Sequence, residues 1–330
     1  MLKALISETL ASGNELIAIV NHRRIPAVKH LYIGGYGPGI VTVGGDLTDL
    51  TRVAAPSFLA AHPTLPVLYA VGELERGWLT AYTVGEEGLR PLDERPSEGD
   101  SPCHVAVDPT GTLLAAANYG DGTAVVYHLD SRGAFEGEPI VLRHEGSGPD
   151  PDRQAGPHAH ETVFHDGLLH VSDLGTDEIR RYRPDGTPLE PITMGPGTGP
   201  RHFAFTDSRL YVAGELGGTV TLAEGERRTT VPASGQAGEN APSHLELAGG
   251  LVYVANRGPN TISVLRDDLS VVAEVPSGGD WPRHFAIDGD RMYVANQRSG
   301  TVNVFALKDG IPEPTGQAYD VESPACVLIT

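Results

Sequence analysis

The chain is written in short runs of alternating apolar and polar residues, such as LVYVAN (251–256) and TVNVFAL (301–307), each closed by glycine, proline, asparagine or aspartate. Alternation with a period of two puts one face of a β-strand into a core, and turn residues at such short intervals leave no room for long helices. The runs recur. A proline preceded by a small or aromatic residue opens a strand at Pro56, Pro102, Pro157, Pro200, Pro242, Pro282 and Pro324, at spacings of 46, 55, 43, 42, 40 and 42 residues. A second strand follows in LYAVGE (68–73), LAAANY (114–119), LHVSDL (169–174), LYVAGE (210–215), VYVANR (252–257) and MYVANQ (292–297), and a third in runs such as ISVL and VNVF.

A period of about 40–50 residues made of strand, turn and strand predicts an all-β fold, a seven-bladed β-propeller of four-stranded antiparallel blades. The last unit, SPACVLIT (323–330), holds a single strand, whereas the first, LYIGGY (31–36) and GIVTVGG (39–45), lacks an opening strand. The ring is therefore expected to close by the C-terminal strand joining the N-terminal strands. Residues 31–330 form the propeller in this reading. Residues 1–30 are an extension of unknown role, in which LKALISETLASG has helical spacing and ELIAIV reads as an extra strand.

Composition narrows the functions. With 24 basic against 43 acidic residues the net charge is −19, which argues against general affinity for nucleic acid or anionic membranes and requires a local arginine cluster for any anionic ligand. No apolar run reaches membrane-span length, and the N-terminus lacks the succession of a secretory signal. The two cysteines, Cys103 and Cys326, have no metal-ligand spacing and are expected as free thiols, so the expected location is the cytoplasm. No cofactor and no metal are expected. The oligomeric state is left open, a monomer being compatible with the ring.

In a propeller the start of the first strand and the end of the second meet at one mouth of the central channel. That geometry gathers Ser57, Cys103, His104, His158, His160, Arg201, His202, Ser243, His244, Arg283 and His284 with Tyr36, Glu73, Tyr119, Asp173, Glu215, Arg257 and Gln297. Histidine and arginine at repeat-equivalent positions around one funnel point to a ligand site. The bland reading of His104, His202, His244 and His284 is that a recurring histidine bridges neighbouring strands. For Arg201, Arg257 and Glu215 it is an inter-blade ion-pair network. Asp173 is expected to form a turn, His62, His165 and His170 to lie on the surface, and Trp78 and Trp281 to pack between blades.

The motifs HPTLPVLYAVGE (62–73), SPCH with ANYGDGTAVVY (101–127), GPHAH with VSDLGTDEIRRY (156–182), GPRHFAF with YVAGELGGTV (199–220), YVANRGPNTISVL (253–265) and WPRHFAI with YVANQRSGTVNVF (281–305) span nearly all of residues 31–330. In them the sequence resembles the lactonase family of seven-bladed propellers, which includes bacterial 6-phosphogluconolactonases and carboxymuconate cyclases. The resemblance implies a lactone hydrolase with its active centre on His158, Arg201, Glu215 and Arg257. Shorter turns such as HDG (165–167), and His244 and His284 where less basic side chains are usual, depart from the family pattern.

Lactone opening needs an attacking water, a group to hold the carbonyl oxygen as it becomes negative, and a proton for the departing ring oxygen. Side-chain chemistry assigns Glu215 as base, His158 as acid and Arg201 with Arg257 as oxyanion and anchor groups. His160, His202, Arg283, His284, Tyr119 and Gln297 are expected to bind substrate, a small anionic lactone, most simply 6-phosphogluconolactone. Three alternatives stay open: another lactone such as a carboxymuconolactone, a non-catalytic binding platform, and, lowest, a metal-dependent lactonase.

Overall fold

The computed structural model describes residues 30–44 and 47–330. The helical and strand readings of residues 1–29 lie outside the described residues. Seven four-stranded antiparallel sheets follow one another around a ring, six of them running outward from the innermost strand in chain order. We number the blades from the sheet that contains the chain's first described strand. In blade one the innermost strand is Pro324–Ile329, which pairs with Leu31–Gly35 at Leu31↔Ile329, Tyr32↔Leu328 and Ile33↔Val327. His30 and Thr330 add two backbone hydrogen bonds of 3.1–3.2 Å. The closure read from the two chain ends is thus formed as expected.

Burial follows position in the blade. Second strands such as Val67–Gly72 and Leu113–Asn118 are buried at every residue, because neighbouring blades cover both faces. Outer strands such as Gly88–Pro96 keep mixed burial and carry the charges. The core lies between blades: Val67, Tyr69 and Val71 of blade two pack with Val105, Leu114, Val125 and Tyr127 of blade three. A tyrosine of the second strand fastens blades two, five and six to the next. Tyr69, Tyr211 and Tyr253 donate to the carbonyls of Gly133, Asp267 and Gly310, each at 2.8 Å, in the outer turn of the following blade. A buried ring with its hydroxyl satisfied contributes apolar area at no polar cost.

One backbone device repeats at the channel mouth. The residue preceding the innermost strand has positive φ at Ala55 (45°), Ser101 (55°), Gly199 (56°), Trp281 (67°) and Ser323 (47°). Its carbonyl accepts the N–H of the residue that follows the second strand: Glu73, Tyr119, Glu215, Gln297 and Tyr36, respectively. In blade four the bond runs from Leu174 N to His158 O. His158, not Gly156, therefore takes the pre-strand place, and Ala159 stands where the other blades have proline.

Candidate active site

The strand registers stack the channel-facing side chains in three layers of seven. The upper layer, at the exits of the second strands, is Tyr36, Glu73, Tyr119, Leu174, Glu215, Arg257 and Gln297. The middle layer, one residue into each innermost strand, is Ala325, Ser57, Cys103, His160, Arg201, Ser243 and Arg283. The lower layer, one residue further on, is Cys326, Phe58, His104, Glu161, His202, His244 and His284. Two expected positions change. Leu174, the residue after the second strand of blade four, and not Asp173, takes the upper-layer place, and Asp173 instead accepts the N–H groups of His158, Gly175 and Thr176 at 2.9–3.1 Å, the turn role expected of it. His158 lies outside the strand, stacked on Tyr119 at 4.6 Å, its Nδ1 2.8 Å from the Tyr119 carbonyl.

Between the upper two layers lies a cavity of about 200 Å³ lined by Glu73, Cys103, Tyr119, Arg153, His160, Arg201, Glu215, Arg257 and Arg283. It shares Arg153, Glu215 and Arg257 with a groove of about 620 Å³ that runs outward past Trp281. A further cavity of about 630 Å³, beside His165, His170 and Phe205, lies away from this chemistry. Of the site residues expected from sequence, Arg201, Glu215, Arg257, His160, Arg283 and Tyr119 line the cup. His202 and His284 sit one layer down, beside a small pocket under Cys103. Gln297 reaches the site through Arg283, whose Nη1 is 3.4 Å from its Oε1. His158 lies behind Tyr119 and does not line the cup.

Glu215 is the hub. Its Oε1 accepts Arg153 Nη2 at 2.9 Å, and its Oε2 lies 2.6 Å from Arg257 Nη2 and 3.1 Å from Arg201 Nε. Burial by itself would raise its carboxyl pKa, but the charges of Arg257 and Arg201 and the Arg153 hydrogen bond overcome this and hold it well below the usual carboxylate range. Arg201 is fixed further by the Ser243 carbonyl, and Arg257 by the Ala241 carbonyl at 2.9 Å. Burial, then the charges of Arg257 and Arg283, pull Arg201 down to about 9, which leaves it charged at neutral pH. Arg283 has no carboxylate within ion-pair distance among the described residues and instead donates to Tyr36 Oη at 2.7 Å. Four arginines against two carboxylates give the cup a surplus of two positive charges in a chain of net charge −19.

His160 is held neutral, its pKa pushed down by burial and by Arg201, and its Nδ1 is buried without a partner. The Cys103 thiol donates to the His160 carbonyl at 3.2 Å, and burial raises its pKa, so it is no nucleophile.

The lower layer has a structural job. Six of the seven innermost strands carry a register shift just past the opening residue, which turns a backbone N–H towards the axis. Thr162 N donates to His104 Nδ1 at 3.3 Å, Phe203 N to Glu161 Oε2 at 2.5 Å and Val327 N to His284 Nδ1 at 3.3 Å, in each case to the side chain of the preceding blade. His104, Glu161 and His202 come close enough to share an ion, with Glu161 Oε1 at 3.6 and 3.5 Å from the two imidazoles. Yet His104 Nδ1 accepts a backbone N–H, so the neutral ring carries its proton on Nε2, the atom facing Glu161. Metal-binding imidazoles have the opposite arrangement.

Sequence reasoning missed Arg153 and Glu161. Arg153 sits in the linker between blades three and four, held by Asp150 Oδ1, which accepts its N–H at 3.1 Å, and by Gln154, which donates to the Leu174 carbonyl at 2.8 Å. The 55-residue spacing from Pro102 to Pro157 was its signal. Three other assignments change: His62 and His170, expected on the surface, are buried, the first accepting the N–H groups of Thr64 and Leu65, and Trp78, expected between blades, is 41% exposed.

A closed seven-bladed ring with an arginine-rich cup on its axis defines a propeller with an anion-binding site at its channel mouth. The chain belongs to the lactonase family of seven-bladed β-propellers, whose model matches residues 40–329. It is 31% identical over 235 residues to a 6-phosphogluconolactonase of Bacillus subtilis, covering 64% of this chain and 67% of that one. A 6-phosphogluconolactonase of Formosa agariphila is 27% identical over 244 residues, covering 66% and 69%. Among solved structures, the periplasmic gluconolactonase of Pseudomonas aeruginosa superposes with a TM-score of 0.81 at 25% identity, covering 92% of this chain and 99% of that one.

Proposed function

We propose that the protein hydrolyses 6-phosphogluconolactone to 6-phosphogluconate, the lactone-opening step of the pentose phosphate pathway. The observation that carries this reading is the surplus of two positive charges in the central cup, which matches a dianionic phosphate ester and has no use in a platform for neutral ligands. In this reading Arg201 and Arg257 hold the carbonyl oxygen as charge develops on it, while Arg283, with no carboxylate within ion-pair distance among the described residues, takes the substrate's anion. Nothing in the cup supplies an activated serine or cysteine, so water attacks directly. A sugar δ-lactone already opens spontaneously, and positioned cations with one proton acceptor are enough to accelerate it.

Hydrolysis of phosphorylated and unphosphorylated gluconolactones, with spontaneous opening subtracted and with and without chelator, tests the reading. A preference for the phosphorylated lactone that chelator leaves untouched supports it, and equal rates on both remove the phosphate anchor. The two buried free thiols fit a reducing cytoplasm. Among the described residues no helix is long and apolar enough to cross a membrane. The net charge of −19 argues against nucleic acid as a partner.

A further inference from the structure

Two carboxylates line the cup, and their surroundings divide the work. Resting on the lactonase reading, we propose that Glu73, not Glu215, is the base that takes the proton from the attacking water. A base needs a lone pair directed at the water and must be able to hold the proton it takes. Glu215 meets neither need, since both oxygens are engaged by Arg153, Arg201 and Arg257, and its protonation would leave those cations without a counter-charge. Glu73 has one oxygen fixed and one open. Its Oε2 accepts Tyr36 Oη at 2.8 Å, Tyr36 accepts Arg283 Nη2 at 2.7 Å, and no cation lies within ion-pair distance of Glu73 among the described residues. Burial raises the Tyr36 phenol, which therefore stays protonated and keeps donating to Glu73. The chain from Arg283 through Tyr36 orients the carboxylate without neutralising it.

Position agrees. Glu73 follows the second strand of blade two and Glu215 that of blade five, so they face each other across the channel. A lactone whose carbonyl oxygen turns to Arg201 and Arg257 presents its carbon to a water on the Glu73 side. Glu73 takes one proton of that water as its oxygen bonds to the carbonyl carbon, and the carbonyl π pair moves onto the oxygen held by the arginines. That pair returns as the bond from carbon to ring oxygen breaks. Protonated Glu73 delivers its proton to the departing ring oxygen, and the new carboxylic acid releases its own to solvent.

The test uses the full chain with 6-phosphogluconolactone. Glu73→Gln should lower kcat by ~10²–10³ with KM within about threefold and an unchanged melting temperature. Glu73→Ala should recover rate with added formate, in proportion to the ionised fraction of formate, which a structural role would not produce. If Glu73→Gln destabilises the fold, the formate response of Glu73→Ala decides alone. A kcat within threefold of wild type in Glu73→Gln, or a formate-insensitive Glu73→Ala, overturns the assignment of Glu73. A wild-type protein that accelerates opening of neither gluconolactone overturns the lactonase reading itself, and the base with it.

Discussion

Replacing Glu215 by glutamine separates a structural hub from a catalytic base. The substitution keeps shape and one acceptor oxygen but removes the charge that Arg201 and Arg257 share, whose side chains are only 4% and 7% exposed. Leaving a buried cation without its partner costs about 3–5 kcal/mol, and the retained amide oxygen argues for the lower end, about 3 kcal/mol. Arg153, 42% exposed, is screened by solvent and adds little. At an unfolding entropy of about 2 cal/mol/K per residue, a ring of this size should lose roughly 5 °C in melting temperature. The pH dependence fixes the sign. Because the folded carboxyl lies below its ordinary value of 4.5, its contribution is present in full above that value and is lost as pH falls through the folded one. The gap between wild type and Glu215→Gln should therefore be the same at pH 7 and pH 6 and close only under strong acid. Calorimetric melts across that range check it. Equal melting temperatures at pH 7, or a gap that widens on acidification, would refute the hub.

Deleting residues 323–330 removes the innermost strand of blade one and uncovers the edge of Leu31–Gly35 and the faces of the two neighbouring blades, so size-exclusion chromatography and circular dichroism should show an aggregated or unfolded chain. Arg257→Ala should raise KM for 6-phosphogluconolactone by about tenfold or more and lower kcat as well, since the developing oxyanion loses a donor; steady-state kinetics that show neither would remove Arg257 from the site. Glu246, its pKa raised to about 7 by burial, stays protonated in the fold while the unfolded chain ionises from about 4.5, so stability falls between those values. Glu246→Gln should recover about 1–2 kcal/mol at pH 8, after allowance for solvent screening, and nothing at pH 4. Denaturant melts at the two pH values measure the difference.

The ring was legible because its punctuation is chemical: a proline opens six of seven innermost strands, and glycine, asparagine or aspartate turns the chain between them. Blade four shows where that reading slips. Pro157 stands two residues before the strand, and a register displaced by two keeps every face correct while assigning the wrong residue to each layer. His158 was thus placed in the site, whereas pairing of Ala159 with Asp173 sends His160 and Glu161 to the channel. Arg153 was hidden for a different reason. PDPDRQAG has no periodicity, and its arginine reaches Glu215, 62 positions on, only because Asp150 and Gln154 fold the linker back over the cup. Partners that far apart in sequence leave no local trace, so the charge state of Glu215 could be read only from the folded ring.

The hub also explains why an anion site contains a carboxylate at all. Two guanidinium charges about 5 Å apart repel by roughly 3 kcal/mol at an effective dielectric of 20, and a cup of about 200 Å³ holds four of them. Without a counter-charge the arginines would splay apart or fail to bury. Glu215 draws three of them onto one point and so sets the distance between Arg201 and Arg257, while leaving enough uncompensated charge for a phosphate or a developing oxyanion. A carboxylate committed in this way cannot also cycle through its acid form during turnover, because each cycle would release the cations that shape the site. Division of labour between Glu215 and a second carboxylate follows from the electrostatics, and Glu73, open on one oxygen and facing it across the ring, is the residue the fold provides.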